Sequence, residues 1–395
     1  MVSSQSYLKV AQIGAELREY VENVLGKYLA DKYFEKISTP MEEYTLHVFQ
    51  KYDTLDTIVE RFRQLKYEVN IHKAFSNIII TKPKGPFKID FREGMKEIVL
   101  DNRAAEMVYQ GSNIFVPGVK RANRVKKGEN IKAVNQVQIP VAKGLSLMSH
   151  NDMLNAKKGI AAQNIKSPFK VPNLEQVNLK DFPAYFQSLP AYLTSVNLDP
   201  QHGEKILDCC AAPGNKTLHL SELAKEKATI VAVDRSKNRL RKLEEKIQTH
   251  HVKNIETQVG DIIKLSKNWS VKFDRILVDP PCTSLGLRPR LVLNTDKKTI
   301  QATADYQKAI LYSCNNLLKL GGTLVYSTCT ITKEENEEVI DYGIKKLGLK
   351  VIEQEYTEPY MGSIDKNLNY PVQRFVPGEH KTLGFFIAKL FKPKS

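Results

Sequence analysis

Apolar positions along the first part of the chain mix two periods. Residues 44–49 alternate weakly between apolar and polar, as a half-buried strand does, whereas Leu55, Ile58, Val59, Phe62 and Leu65 recur at helical spacing over residues 54–65. Asp53 and Thr54 offer that helix an N-cap. Residues 68–71 and 77–81 predict two further strands with a short turn between them. Strand, helix, strand, strand is part of a split βαβ pattern, suited to an RNA-recognition platform or to a structural spacer. Pro83, Gly85 and Pro86 then break the pattern. From Lys96 to Pro172 helical periodicity is weak after Tyr109. Short apolar stretches at 114–119, 137–142 and 159–162 are separated by turn residues, as in a small barrel.

The pattern changes at Glu204. Strands are predicted over residues 205–209, 229–233, 255–259, 273–278 and 323–326, and helices from Lys216 and over 237–249, 306–318 and 334–346. Gly321 and Gly322 read as the stop of the helix before the last of these strands. Alternation of this kind predicts a doubly wound α/β sheet with buried parallel strands, a Rossmann-like core. The expected division is an α/β adaptor over 1–95, a barrel over 96–172, a connector over 173–200 and the α/β core over 201–395.

Charge sharpens the barrel's role. The chain carries a net charge of +15, and residues 96–172 hold 13 basic and 5 acidic side chains, over half of that excess. A localised basic unit suits a polyanion better than diffuse charge does, although a solvated face would look the same in composition. Lys120, Arg121, Arg124, Lys126 and Lys127 form the densest cluster, expected to contact phosphate rather than read bases. No apolar stretch approaches the roughly 20 residues a membrane span requires, and the first residues lack a signal peptide's apolar core. Five cysteines without metal-type spacing predict a reducing, cytoplasmic setting and no metal.

Candidate chemistry sits at the predicted strand ends. After the first core strand comes Asp208-Cys209-Cys210-Ala211-Ala212-Pro213-Gly214-Asn215-Lys216-Thr217. Small residues there let a ligand approach the backbone, and the next helix presents its N-terminal donors. Asp234 ends the second strand, where an acidic side chain accepts from ribose hydroxyls. Asp261, after the third, is placed to meet an adenine amino group. The loop lacks the G-x-G-x-x-G that cradles a pyrophosphate, which favours S-adenosylmethionine over a dinucleotide. The fourth strand runs into Asp279-Pro280-Pro281-Cys282 and the fifth into Ser327-Thr328-Cys329. Cys209, Cys210 and Cys314 read as buried small hydrophobes, but Cys282 and Cys329 stand at loop starts among polar residues. A thiolate beside a methyl donor suits carbon-5 methylation of cytosine. Its addition at carbon 6 makes carbon 5 nucleophilic, and a carboxyl such as that of Asp279 answers the charge at ring nitrogen 3. Which of the two cysteines attacks, these residues leave open.

Together these motifs resemble the Nol1/Nop2/Sun family of RNA cytosine-5 methyltransferases, as does the closing stretch 374–386; the likeness runs over residues 187–391. The resemblance implies that Cys329 attacks carbon 6 and Cys282 assists product release, with Lys216 and Asp279 also in the active site. It implies cofactor contacts from Cys210, Ala211, Ala212, Pro213, Gly214, Asn215, Lys216, Asp234, Arg239, Asp261 and Asp279. The family usually has Gly-Gly before the motif lysine; here Gly214-Asn215 stands, and Asn tolerates left-handed backbone. Gly111 to Val119 and Lys157 to Ala161 resemble a PUA domain. A PUA domain ahead of this core resembles the family's NSUN6-type branch, which implies an enzyme acting on a cytosine near the 3′ end of the tRNA acceptor stem while its PUA domain holds the terminal CCA, with ribosomal RNA as the alternative substrate and a non-catalytic RNA-binding factor as the alternative of another class; a monomer is expected.

Overall fold

The computed structural model describes residues 12–52, 54–172, 182–356 and 371–394. Its largest sheet has the strand order Ile255–Val259, Thr229–Asp234, Lys205–Asp208, Phe273–Val278, Leu318–Thr328, Phe385–Phe391, Lys350–Ile352, with Gln373–Phe375 also paired to Phe385–Phe391. The first five strands run parallel. Phe385–Phe391 is antiparallel to Leu318–Thr328 and to Lys350–Ile352. The core is therefore the expected doubly wound, Rossmann-like sheet, extended by an antiparallel edge that periodicity did not suggest. Its central strands are apolar on both faces because helices cover both. Ile310, Leu311, Cys314 and Leu317 of the helix Lys297–Leu317 pack with Ile276, Val278, Leu324 and Tyr326. Tyr192, Leu193 and Leu198 of the helix Leu189–Leu198 pack with Ile206, Leu277 and Val325.

Winding reverses between the neighbouring strands Lys205–Asp208 and Phe273–Val278. Such a switch point leaves a crevice beyond the carboxyl ends of the strands, where ligands bind.

A second, antiparallel sheet has the order Ala184–Phe186, Tyr44–Val48, Ile78–Thr81, Val69–Ile71. The helix Leu55–Gln64 buries Ile58, Val59 and Phe62 with Leu46, Val48 and Ile79 beneath it. Thr54 is this helix's N-cap position, but its side chain makes no capping bond; Asp53 lies outside the described residues. The outer strand comes from the connector, whose residues 173–181 are likewise outside them.

The third sheet, over the basic segment, has the order Ile114–Phe115, Ile160–Lys166, Pro140–Ser146, Asn130–Asn135, Lys96–Leu100, Val119–Ala122. Ile98, Leu100, Val108, Tyr109, Ile131 and Val141 form its core. Lys96–Leu100 and Asn130–Asn135 had not stood out in the sequence, since charged residues interrupt both.

The structure corrects two expectations and adds two helices. The helix predicted over 306–318 runs Lys297–Leu317, capped by the Asp296 carboxylate on the Thr299 N–H at 2.7 Å. Its first two turns are mostly polar and carry little apolar periodicity. Gly321 and Gly322 do not stop it: the strand begins at Leu318, and the glycines form a bulge within it, Gly321 at φ +80°. Finally, the helices Ala15–Leu25 and Lys27–Lys36 were not anticipated, although Leu17, Tyr20, Val21 and Leu25 recur at helical spacing. They pack on Leu285, Leu293, Ile331 and Val376, close to the catalytic motifs. Among the described residues no helix is long and apolar enough to cross a membrane.

Candidate active site and RNA-facing groove

Strand register brings the two loop cysteines together. Val278 pairs with Tyr326, and each strand then leaves the same edge of the sheet into its cysteine loop. The Cys282 and Cys329 sulfurs lie 3.4 Å apart, both half-buried. The loops are also tied through the backbone. The Gly286 N–H donates to the Cys329 carbonyl at 3.0 Å, and the Gly384 N–H donates to the Gly286 carbonyl at 2.7 Å. A Cβ on Gly286 would stand 2.2 Å from the Gly384 carbonyl oxygen, so only glycine fits. Glu335, fully buried, accepts from the Thr283 N–H at 2.9 Å, the Gln307 amide at 3.0 Å and the Thr332 hydroxyl at 2.8 Å. It clamps the start of the Cys282 loop to the segment after Cys329. Sequence reasoning missed Gly286 and Glu335; only a Glu among polar residues six positions past the motif cysteine hinted at the second.

Two thiols this close do not ionise alike, because the first thiolate formed is stabilised by the other's S–H and repels a second charge. Here the hydrogen bond from Cys282 pulls the Cys329 thiol below its ordinary range against the opposing effect of burial. The Cys282 thiol is pushed up by its bond to Cys329 and by burial. Cys329 is thus the sulfur favoured to carry charge.

Lys216 and Asp279 form the second catalytic-type pair. The ammonium donates to Asp279 Oδ2 at 2.7 Å, and the Ser327 hydroxyl donates to Oδ1 at 2.8 Å. Burial alone would lower the Lys216 pKa, but Asp279 more than reverses that and the ammonium is held charged. Asp279 is therefore a paired carboxylate that accepts hydrogen bonds, and the donor beside it is Lys216.

A cavity of about 210 Å³ opens beside this pair, lined by Cys210 to Lys216, Asp208 and Asp279 from the core and by Phe186 and Gln187 from the connector. Of the expected cofactor residues, Asp234, Arg239 and Asp261 do not line it. Asp234 lies just behind, accepting from the Ala212 N–H at 3.2 Å and the Ser236 N–H at 2.8 Å. The Arg239 guanidinium, 3.8 Å from Asp234, donates to the Ala212 carbonyl. Asp261 caps the helix Ile262–Leu265 and accepts from the Tyr306 hydroxyl at 3.3 Å. Left-handed backbone falls on Gly214, at φ +101°, and not on Asn215, which begins the helix Asn215–Leu223. The Asn215 amide instead donates to the Phe186 carbonyl at 3.0 Å, and its main-chain carbonyl accepts from the Tyr185 hydroxyl at 3.1 Å. Asn215 thus fastens the cofactor loop to the adaptor sheet, which Gly cannot do through a side chain. Cys209 and Cys314 are buried as expected, whereas Cys210 is half-buried and faces the cavity.

A larger hollow of about 620 Å³ lies on the basic segment, lined among others by Phe87, Asn113, Phe115, Asn164, Lys166 and Lys170. Phe87 and Phe115 are exposed. Exposed aromatic faces beside lysines suit unstacked bases and phosphates. None of Lys120, Arg121, Arg124, Lys126 and Lys127 lines this hollow. All five are exposed, on the strand Val119–Ala122 and the turn after it.

Residues 195–391 match the family described as 16S rRNA methyltransferase RsmB/F, and residues 96–167 match the PUA domain. The chain is 38% identical over 384 residues to the tRNA (cytosine(72)-C(5))-methyltransferase of Pyrococcus horikoshii, covering 96% of this chain and 97% of that one. A solved structure of NSun6 from Pyrococcus horikoshii with SFG aligns with a TM-score of 0.88 at 36% identity, over 98% of this chain and 100% of that one. The mouse 28S rRNA (cytosine-C(5))-methyltransferase is 36% identical over 220 residues, but these cover only 52% of this chain and 28% of that one.

Proposed function

Since this chain belongs to the RsmB/F methyltransferase family and carries a PUA domain, we propose that it methylates carbon 5 of a cytosine at the acceptor end of tRNA. The reaction runs through a Cys329 adduct, with S-adenosylmethionine as the methyl donor. The observation that carries this reading is the meeting of two unequal thiols, 3.4 Å apart, with a Lys216–Asp279 pair that also borders the cofactor cavity.

The residues present suit the cofactor. Asp208 Oδ1 and Gln187 Oε1 are buried acceptors without a protein donor, and both side chains line the cavity. They fit an ammonium such as that of the methionine portion. Burial raises the Asp208 carboxyl to about 7, and a cation beside it would bring it down. Asp234 keeps lone pairs for ribose hydroxyls. Asp234 and Asp261, beyond the lining of this cavity, would hold the nucleoside portion. Bound there, the cofactor supplies a methyl group on a sulfonium.

The chain's own residues do the rest. Cys329, as thiolate, adds to carbon 6, and the electron pair of the 5,6 double bond moves to carbon 5. Lys216 donates to the pyrimidine edge where charge builds at ring nitrogen 3, and Asp279, which accepts from Lys216 and Ser327, serves that nitrogen through the lysine and accepts from the exocyclic amine. Carbon 5 takes the methyl group. A solvent water takes the carbon-5 proton, the C–H electron pair re-forms the 5,6 double bond, and the carbon-6–sulfur bond breaks to release Cys329 as thiolate, which the protonated Cys282 meets with a hydrogen bond.

The target base must leave its stack to reach sulfurs at the sheet edge, and the Phe87–Phe115 hollow is the surface we assign to the RNA beside it. A match that extends through the PUA domain in the tRNA relative, and over only about half the chain in the ribosomal one, favours tRNA. Two reduced cysteines at the centre suit a reducing compartment such as the cytoplasm. The test is Cys282→Ala incubated with RNA and methyl donor. A protein–RNA adduct that survives denaturing electrophoresis with tRNA, and is lost in the double change with Cys329→Ala, is the expected result. An adduct from Cys329→Ala alone would reverse the two roles, adducts with ribosomal RNA only would move the substrate, and no transfer to either would leave a binding protein.

A further inference from the structure

We propose that Ser284 is a catalytic residue whose hydroxyl donates to the Cys329 thiolate and holds it ready for attack. The proposal deepens the reading above and rests on Cys329 being the nucleophile. The Ser284 hydroxyl oxygen lies 3.5 Å from the Cys329 sulfur and 3.7 Å from the Cys282 sulfur. One small side chain therefore reaches both sulfurs.

Its backbone is the second observation. Ser284 has φ +57°, the left-handed region that residues other than Gly, Asn and Asp rarely adopt. Such conformations persist where the surroundings over-determine them, and they cluster at working sites. Here the surroundings do so. The Ser284 carbonyl accepts from the Leu287 N–H at 3.2 Å and from the Arg290 guanidinium at 3.4 Å. The buried Leu285 follows, its carbonyl accepting from the Tyr33 hydroxyl at 2.8 Å, and Gly286 is bonded to Cys329. Glycine would take this φ at lower cost but would bring no hydroxyl to the sulfurs.

The hydroxyl has one proton and two places to send it. While Cys329 is a thiol, its S–H donates to Ser284 Oγ, and the Ser284 O–H is free to donate to the Cys282 carbonyl at 3.3 Å. When Cys329 gives up its proton to solvent, that donated bond disappears. Rotation about the Ser284 C–O bond then turns the hydroxyl hydrogen onto the thiolate without moving a heavy atom. Hydrogen bonds to a charged acceptor are roughly twice as strong as neutral ones, so the exchange favours thiolate over thiol. The direction of the Cys329 shift, with Cys282 and Ser284 both lowering it against burial, agrees.

The experiment measures iodoacetamide alkylation of Cys329 against pH, located by peptide mass, in a Cys282→Ala background. Parent Ser284, Ser284→Ala and Ser284→Gly are compared. Ala keeps the backbone strain and Gly relieves it, yet both lose the hydroxyl. The expected result is the same upward move of the alkylation midpoint in both, about one to two pH units. With Cys282 intact, methyl transfer at pH 7 should fall about ten-fold or more in both. A merely structural role would separate Ala from Gly and leave the pH midpoint in place. Should Ser284→Ala not fold, Ser284→Gly still removes the hydroxyl at a φ that glycine tolerates, and its alkylation midpoint decides. An unmoved midpoint with the RNA adduct still on Cys329 overturns the role of Ser284. An RNA adduct that maps to Cys282 in Cys329→Ala overturns the reading beneath it.

Discussion

The catalytic rim and the PUA groove solve binding problems in opposite ways. At the rim, the candidate reacting groups come from the loops and the helix start that follow neighbouring strands of one sheet, which bring Lys216, Asp279, Cys282 and Cys329 together. Backbone bonds such as Gly286 to Cys329 lock the arrangement. In the groove, Phe87 comes from the link before the barrel, Phe115 from an edge strand, and Lys166 and Lys170 from the segment leaving the barrel. Their side chains are exposed and few bonds hold them. The rim trades tolerance for accuracy, as the covalent chemistry proposed for it requires, whereas the exposed lysines and aromatic rings of the groove suit the flexible polyanion proposed to lie there. Substitutions should therefore act steeply at the first and gradually at the second.

The largest effect is expected from Gly286→Ala. The new methyl group meets the Gly384 carbonyl oxygen at 2.2 Å, so one loop must shift. Overpacking of this kind costs about 1–3 kcal/mol. A misplacement near 1 Å in a reacting constellation costs on the order of 100-fold in rate. Thermal melts and single-turnover methyl transfer check both, and near-parental activity would mean that the rim is not backbone-locked. A smaller, graded effect is expected in the groove. The double change Lys166→Ala with Lys170→Ala should raise the KM for tRNA roughly ten-fold at physiological salt, and should lower the salt-dependence slope by about two, while the single-turnover rate at saturation holds. Lys126→Ala with Lys127→Ala is the contrast, and a larger effect there would move the RNA to the other edge strand.

The smallest effect tests the cofactor wall. Asp208 titrates near 7 in the fold against an ordinary 3.8, because it is buried, so the folded state binds that proton more tightly than the unfolded chain. Its contribution to stability is complete below about pH 4 and is lost as pH rises through about 7. Asp208→Asn removes this dependence. Without cofactor, the variant should gain about 1 kcal/mol over the parent at pH 8, with the difference shrinking toward pH 5, while cofactor binding weakens. Melting temperature against pH checks the sign. A parent that gains stability between pH 5 and 8 relative to the variant would contradict it.

The same contrast explains what was legible. Asp279 to Cys282 and Ser327 to Cys329 are contiguous, and the rule that ligands meet strand ends turns contiguity into position. The core helices and strands could be read because their periods are clean. Ser284, Gly286 and Glu335 were not, because their importance depends on a left-handed φ, a backbone crossing with Gly384 and a buried carboxylate, none of which periodicity encodes. In sequence Asn215 stands out only as a departure that left-handed backbone would tolerate, whereas in the fold it bridges two sheets. Charge counting drew attention to Lys120 through Lys127 and passed over the groove, since counting cannot see that Phe87, Asn113 and Lys170 converge.

The crossing of Gly286 with Gly384 also has a consequence in time. The residues that pin the Cys282 loop belong to the stretch leading into Phe385–Phe391, the strand that pairs with Leu318–Thr328. During synthesis the thiols, the ammonium and the cofactor loop all leave the ribosome before that strand does. The reaction centre is therefore latched only when a strand distant in sequence has joined the sheet, and local folding around the two cysteine motifs does not complete it.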